Sequence, residues 1–264
     1  MAQRFGVKNG KEIHVPLLPR EILTKEQSPF MPTKFDQMKD VPYSEAIGRA
    51  LWPVMISRPD ALCAVGILAQ FVQNPGLAHW KALKRVMGYL YTTRDLWLTF
   101  GGVDAELEGF SDADWASQSH RHSISGYAFR MGKGAVTWSS KKQAIVALSS
   151  TEAEYIAQTH AAKELIWLRT FLGELTTPFS GPITLPCDNQ GAIALSKDNK
   201  FHARTKHIDI RYHFIREAVE NNQVFMYYVP TDENVADIFT KPLAKPKFEK
   251  FVKLLGLGSL EGEC

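Results

Sequence analysis

The stretch ELEGFSDADWAS, residues 106–117, begins with the alternation of apolar and polar residues that is typical of a β-strand and ends with two aspartates, Asp112 and Asp114. Aspartate is disfavoured inside strands. In open α/β sheets, however, functional side chains collect at the carboxyl ends of strands. This segment therefore predicts a strand that carries a carboxylate to a functional edge, and the question is which residues join it there.

The segments around this stretch predict a sheet of mixed direction. Four segments after Leu96 have a period of two and are separated by glycine-rich turns, which is typical of an antiparallel meander: LWLTFGG, AELEGFSD, SGYAFRMG and AVTWSS. Helices and strands alternate afterwards: a helix at about 151–172, the strand PITLPCD, the helix QGAIALS, a helix at about 205–220, the strand QVFMYYV and the helix ENVADIFTK. This order predicts an α/β fold with helices flanking a mixed sheet.

The remaining chain divides by composition. Residues 1–41 contain four prolines and no sustained period, which predicts a linker or extended arm. Residues 42–95 contain three apolar-periodic helical segments and predict a small helical unit. The α/β domain then covers 96–243, and 244–264 form a tail with a short surface helix.

Composition excludes several classes of protein. The 264 residues carry a net charge of +3, which is compatible with a polyanionic partner without requiring one. Three distant cysteines fit neither a disulfide framework nor a zinc knuckle. The longest apolar run, residues 61–72, is too short to cross a bilayer, and the N-terminal segment lacks the apolar region of a secretory signal. We expect an intracellular protein with no membrane span.

The helix that begins near residue 151 carries a second candidate carboxylate. Steps of 3, 7, 11, 14 and 18 from Glu154 reach apolar residues, so Glu154 lies on the core-facing stripe. Steps of 7 and 11 from Glu152 instead reach Thr159 and Lys163, a more polar flank. A capping box is the alternative, because Thr151 with Glu154 and Ser149 with Glu152 both satisfy the S/T-x-x-E pattern.

Two further aspartates have comparable positions. Asp188 ends a predicted strand immediately before a helix, and Asp237 lies in an early turn of the last predicted helix of the domain. Each alone is explained by helix capping or by the helix macrodipole. If the acids converge, an all-oxygen ligand set favours Mg²⁺ or Mn²⁺, and paired ions about 4 Å apart serve displacement at phosphorus. Phosphodiester cleavage is then the leading chemistry.

Six segments in one order resemble the ribonuclease H domain of copia-type LTR retrotransposon Pol polyproteins: GFSDADWAS, SISGYAF, TWSSKKQAIVALSSTEAEYIA, CDNQGAIALS, RTKHIDIRYHFIRE and VPTDENVADIFTKPL. The helical unit looks like the end of the reverse transcriptase that precedes it, so the resemblance covers about Pro42 to Leu243. It implies a ribonuclease H-like five-stranded mixed sheet, two divalent ions, and hydrolysis of the RNA strand of an RNA/DNA hybrid.

The resemblance also implies the residues of the site. The four acids it implies are Asp112, Glu154, Asp188 and Asp237, and it alone prefers Asp112 to Asp114. Asn189 and Gln190 are candidates for contacts to 2′-hydroxyls, with helix-start polar residues as the alternative. Further candidates for nucleic-acid binding, which solvated surface charge would equally explain, are Trp138, Lys141, Lys142, Arg204, Lys206 and Arg211.

The chain departs from the pattern in two respects. The segment VPTDENVAD lacks the loop histidine that cellular ribonucleases H carry before the last aspartate, and no YxDD-like polymerase pair is present. Three hypotheses follow: a ribonuclease H that works with the upstream polymerase region, a catalytically silent nucleic-acid-binding or scaffold module, and a related nuclease acting on DNA. If the chain is a ribonuclease H, we expect it in a cytoplasmic virus-like particle or in the nucleus.

Overall fold

The chain forms two compact units. The computed structural model describes residues 3–7, 12–19, 21–101, 106–115, 121–175, 179–197 and 209–259, with the side chains of residues 3 and 209–213 excepted. One unit is Met1–Thr99 with Lys241–Cys264, and the other is Phe100–Thr240. The chain therefore leaves the first unit, builds the second and returns.

The helices and strands follow one another in chain order. The first unit begins with four helices and a strand: α1 (Pro32–Asp36), α2 (Tyr43–Ile56), α3 (Leu62–Ala69), α4 (Leu77–Thr92) and β1 (Trp97–Leu98). The second unit contains β2 (Leu107–Asp114), β3 (Ile124–Met131), β4 (Gly134–Lys142), α5 (Ser150–Leu175), β5 (Ile183–Thr184), α6 (Gln190–Lys197), α7 (Asp209–Glu220), β6 (Val224–Phe225) and a 3-10 helix, Val235–Phe239. The first unit ends with α8 (Lys245–Leu254) and β7 (Leu257–Gly258).

Both ends of the chain contribute to the first unit. Phe5, Val15, Leu17 and Leu23 are buried, although residues 1–41 were expected to form an extended arm. In the C-terminal segment, Phe248 of α8 packs edge-on against a ring of α4, and β7 pairs antiparallel with β1. The strand within LWLTFGG, Trp97–Leu98, thus pairs with the end of the chain. Of the described residues of this segment, only Gly101, at a φ of 115°, reaches the meander, where it forms a single bridge with Gly132 between β3 and β4.

The second unit is built on a five-stranded mixed sheet, as the sequence predicts. The strand order is β4-β3-β2-β5-β6, with antiparallel pairing among β4, β3 and β2 and parallel pairing of β5 with β2 and with β6. The predicted α/β class is confirmed. No helix within the described ranges has both the length and the apolar character needed to span a bilayer.

Helix α5 covers one face of this sheet. Its predicted apolar stripe is confirmed, because Ala157, Ala161, Leu165 and Leu168 are all buried. Ala161, Leu165 and Leu168 share a core with Phe129 of β3 and with residues of β5, β6 and α7, and Leu172 is half-buried against this core. Since Glu154 starts this stripe, packing of the stripe brings the Glu154 carboxylate to the sheet.

The segment after β6 approaches the other face of the sheet closely. Asp112, Gly126 and Ser140 are direct neighbours across β2, β3 and β4, so their side-chain positions share a face. A Cβ on Gly126 would lie 2.8 Å from Phe239 Cβ and 2.8 Å from Thr240 Cγ2, and Ser140 Oγ donates to the Phe239 carbonyl at 2.6 Å. Only glycine leaves room for this approach.

The predicted helix ENVADIFTK is a five-residue 3-10 helix and not an α-helix. Asn234 caps the start of this helix and ties it to the sheet: its Oδ1 accepts from Ala236 N at 3.2 Å, and its Nδ2 donates to the Ser111 carbonyl of β2 at 2.9 Å. Pro242 follows within two residues of the end of this segment and cannot continue a helix.

We predict that Gly126→Ala lowers the free energy of unfolding by about 1–3 kcal/mol, because the added methyl forces the 235–240 segment away from the sheet. Urea titration measures the loss, and hydrogen exchange should show faster exchange in residues 234–240. Gly181→Ala is the matched control, since a Cβ there meets no atom within 4 Å. It should change stability by less than about 0.5 kcal/mol. Equal effects of the two substitutions would contradict the close approach.

Candidate active site

The first carboxylate of the site lies on the central strand. Asp112 of β2 is only 2% exposed, whereas Asp114, two residues further, is half-buried. The Thr240 hydroxyl donates to Asp112 Oδ2. Strand periodicity places both aspartates on one face, and it is this tertiary contact that distinguishes them.

Thr240 also connects this strand to Asp237. Asp237 is completely buried in the 3-10 helix, and its carbonyl oxygen lies 3.1 Å from Thr240 Oγ1. A hydroxyl has one hydrogen, so Thr240 donates to one of these two acceptors at a time. Sequence reasoning missed Thr240; its place three residues after Asp237, at the end of a short helical turn, was the available signal.

The two glutamates of α5 have different roles. Ser149 Oγ accepts from Glu152 N at 3.1 Å, and Glu152 Oε2 accepts from Leu148 N at 2.8 Å, which together cap the start of the helix. Glu152 is buried, contrary to the polar flank expected for it, because it folds back onto this cap. Glu154 Oε1 instead accepts from Ala113 N of β2 at 3.2 Å. The capping role thus belongs to Glu152, and Glu154 reaches the strand beside Asp112.

Cys187 and Asp188, which follow β5 in the chain, lie next to Glu154. Ligand atoms of Glu154, Cys187 and Asp188 lie within 4.8 Å of one another. Cys187 is completely buried and was not predicted; Gln158 Nε2 donates to its sulfur at 3.0 Å, and Asn189 N does so at 3.3 Å. Gln158 is four residues after Glu154 on the same helix face, and this spacing could have indicated a polar cluster.

The thiol of Cys187 differs chemically from its acidic neighbours. Burial raises the pKa of Cys187 strongly, and the neighbouring Glu154 carboxylate raises it further. The sulfur therefore stays protonated at neutral pH, and the carboxylates supply the negative charge. Two carboxylates within 4.8 Å fit a hard divalent cation such as Mg²⁺ or Mn²⁺, whose preferred ligands are oxygens.

Two of the four predicted acids, Glu154 and Asp188, belong to one tight group. Glu154 also accepts from the amide of Ala113, the residue after Asp112. The Thr240 hydroxyl contacts the Asp112 carboxylate and the backbone carbonyl of Asp237. All four lie in the second unit, on β2, α5, the end of the β5 segment and the 3-10 helix. The convergence of all four carboxylates at one metal site remains the prediction made from the sequence.

The predicted nucleic-acid contacts are less closely defined. Asn189 Oδ1 accepts from Ala192 N at 2.9 Å, so Asn189 caps α6, and Gln190 is exposed at the first position of that helix. On β4, Trp138 is half-buried and Lys141 and Lys142 are exposed. The other three candidates have no described side chain: Arg204 and Lys206 lie outside the described residues, and for Arg211 of α7 only the backbone is described.

The second unit is an α/β domain built on a five-stranded mixed sheet, with Glu154 and Asp188 in one acidic group. The chain is 44% identical over 258 residues to the retrovirus-related Pol polyprotein from transposon TNT 1-94 of Nicotiana tabacum, covering 97% of this chain and 19% of that protein. The Pol polyprotein from transposon RE2 of Arabidopsis thaliana is 35% identical over 264 residues, covering 99% and 18%. The chain belongs to the retrovirus-related Pol polyproteins of transposons, and it spans about a fifth of these relatives' length.

Two other comparisons carry no part of this assignment. No family model matches the chain. A solved structure, RNase H1 from the halophilic archaeon Halobacterium salinarum NRC-1, is 17% identical with a TM-score of 0.37, covering 51% of this chain and 94% of that one. The family therefore rests on the sequence relatives.

We predict that Thr240→Val, which keeps the shape and removes the hydroxyl, lowers the free energy of unfolding by about 1–3 kcal/mol. The reason is that the buried Asp112 carboxylate loses a donor. Thr170→Val is the control, because its hydroxyl donates within an exposed turn of α5. Chemical denaturation should show a change of less than about 0.5 kcal/mol there; a Thr240→Val protein as stable as the control would argue against the link.

Proposed function

We propose that this chain acts as the ribonuclease H of a retrotransposon Pol polyprotein and hydrolyses the RNA strand of RNA/DNA hybrids. The observation that carries the proposal is the approach of the Glu154 and Asp188 carboxylates to within 4.8 Å, with Glu154 bonded to the strand that holds Asp112. Membership of the Pol polyprotein family supports the same activity.

The residues that would hold the metal are Asp112, Glu154, Asp188 and Asp237. Two Mg²⁺ or Mn²⁺ ions, when bound, supply a nucleophilic water at neutral pH and neutralise charge on the phosphate. Metal binding is consistent with the burial of three of the four carboxylates, since neighbouring buried negative charges repel unless protons or cations neutralise them.

The protein's own groups fix where these carboxylates lie. The Ala113 amide holds Glu154 against β2, and the Thr240 hydroxyl holds Asp112. Such fixed orientation reduces the reorganisation needed when charge develops on the scissile phosphate. Because Cys187 remains a neutral thiol, it fills space behind Glu154 and adds no charge to the site.

The substrate contacts form the second part of the proposal. Lys141 and Lys142 at the end of β4 would bind phosphates, and Trp138 would supply an aromatic surface beside them. The amide groups of Asn189 and Gln190 would meet 2′-hydroxyls, which distinguish RNA from DNA. Arg204, Lys206 and Arg211 would extend the phosphate contacts, and the polymerase region of the polyprotein would be the protein partner, inside the cell.

We predict that Asp188→Asn and Glu154→Gln each lower the rate of hybrid cleavage in Mg²⁺ by about two to four orders of magnitude, because a ligand to the proposed ions is lost. EDTA should abolish cleavage by the unchanged protein. Labelled RNA/DNA hybrid on a denaturing gel measures the rate, and duplex DNA of the same sequence tests the competing DNA nuclease.

The control for this experiment is Glu152→Gln, the same substitution two residues away in a buried capping carboxylate. It should retain most of the cleavage rate. In EDTA, Glu154→Gln should be at least as stable as the unchanged chain, since one of several neighbouring negative charges is removed. Salt-sensitive hybrid binding without any cleavage would instead favour the silent binding module.

We predict that Lys141→Ala with Lys142→Ala weakens hybrid binding and lowers the magnitude of the slope of log K against log salt by about 1–2. When a lysine that contacts a phosphate is removed, binding of the hybrid releases fewer counterions. Fluorescence anisotropy in EDTA at several KCl concentrations measures both quantities. Lys133→Ala, at the exposed turn between β3 and β4, is the control and should leave the slope unchanged.

A further inference from the structure

One of the strongly positive segments of the chain lies near the end of the first unit. Residues 241–253 contain five lysines and one glutamate, a net charge of +4, whereas the whole chain carries +3. The other residues taken together are therefore slightly acidic. None of the functional residues considered so far lies in this segment.

Helix α8 fixes three of these lysines in a row. Phe248, Phe251 and Val252 are buried, so packing determines which face of the helix points outward. Lys247, Lys250 and Lys253 are spaced three residues apart, and we call them the α8 lysine ridge. Residues three apart are neighbours on a helix surface, and the ridge spans about 9 Å along the axis.

The Phe251 ring lies beside two lysines of the ridge. Lys247 Nζ and Lys250 Nζ lie 5.5 and 6.0 Å from the centroid of the buried Phe251 ring, which anchors their stems. The acid of the helix, Glu249, lies 3.7 Å from Lys245, which is outside the ridge. Lys250 and Lys253 are exposed and Lys247 is half-buried, so the ridge curves along the outward part of the helix surface.

We propose that the α8 lysine ridge is a second nucleic-acid contact, which binds the phosphate backbone of a duplex without reading its sequence. Charge complementarity selects this partner: a duplex carries about one negative charge per 1.7 Å of axis, so the length of the ridge meets several phosphates. A rigidly packed helix loses less freedom on binding than lysines on a flexible segment. The inference rests on the proposed function only for the choice of the RNA/DNA hybrid as probe.

The test is hybrid binding by the full chain in EDTA, followed by fluorescence anisotropy between about 50 and 200 mM KCl. The triple variant Lys247→Ala, Lys250→Ala, Lys253→Ala should lower affinity at least about tenfold and reduce the magnitude of the salt slope by about 2–3. The charge-preserving variant with arginine at all three positions should restore both. Thermal unfolding checks that each variant is folded.

The matched control removes the same charge elsewhere on the first unit. Lys25, Lys34 and Lys39 are exposed outside α8, and their triple alanine variant should bind like the unchanged chain. If both triple variants weaken binding equally, the effect is one of net charge and the ridge is not a site. An unchanged affinity and salt slope in the α8 variant would also overturn the proposal.

Two further measurements separate this inference from its alternatives. Sedimentation with vesicles containing phosphatidylserine tests an anionic membrane as the partner; ridge-dependent vesicle binding with ridge-independent hybrid binding would overturn the nucleic-acid assignment. Cleavage in Mg²⁺ is assayed separately from binding. A chain that binds hybrid through the ridge and cleaves nothing would contradict the proposed function and leave the inference standing.

Discussion

The candidate site depends on one steric condition, the absence of a side chain at Gly126. The antiparallel ladder sets Gly126 between Asp112 and Ser140, and the 235–240 segment fills the space that a Cβ would need. This approach brings the Thr240 hydroxyl to Asp112 and carries Asp237 into the interior beside β2. A larger residue at position 126 would push the 235–240 segment, which carries Asp237 and Thr240, away from Asp112 on β2.

On the face of the sheet that α5 covers, Glu152 and Glu154 have different roles. Glu152 satisfies amides at the start of α5, and this cap fixes where the helix begins. The helix rotation that follows directs Glu154 toward β2 and Cys187. A charged residue on a buried stripe ordinarily lowers stability, so its presence at the start of α5 is consistent with selection for chemistry over stability.

The sequence determined the architecture because its signals are local and periodic. Alternation in β2 and β3, the apolar stripe of α5 and the Asn189 cap before α6 specify element types, and their order specifies a mixed sheet. The acids were also predictable as candidates, because motifs and helix faces are readable without coordinates. Periodicity failed for β1, whose partner β7 is about 160 residues away and leaves no local trace.

Only the tertiary structure decided which of the neighbouring acids do what. Asp112 and Asp114 share a strand face, and the contact with Thr240 distinguishes them. Two overlapping capping boxes fit Glu152 and Glu154 equally well. The bond to Ser149 identifies Glu152 as the cap, and the bond from Ala113 of β2 assigns Glu154 to the sheet. Cys187 and Thr240 entered the site in the same way. A hydrogen bond between residues 128 positions apart is set by how two surfaces meet, and that depends on the whole fold and not on any one segment.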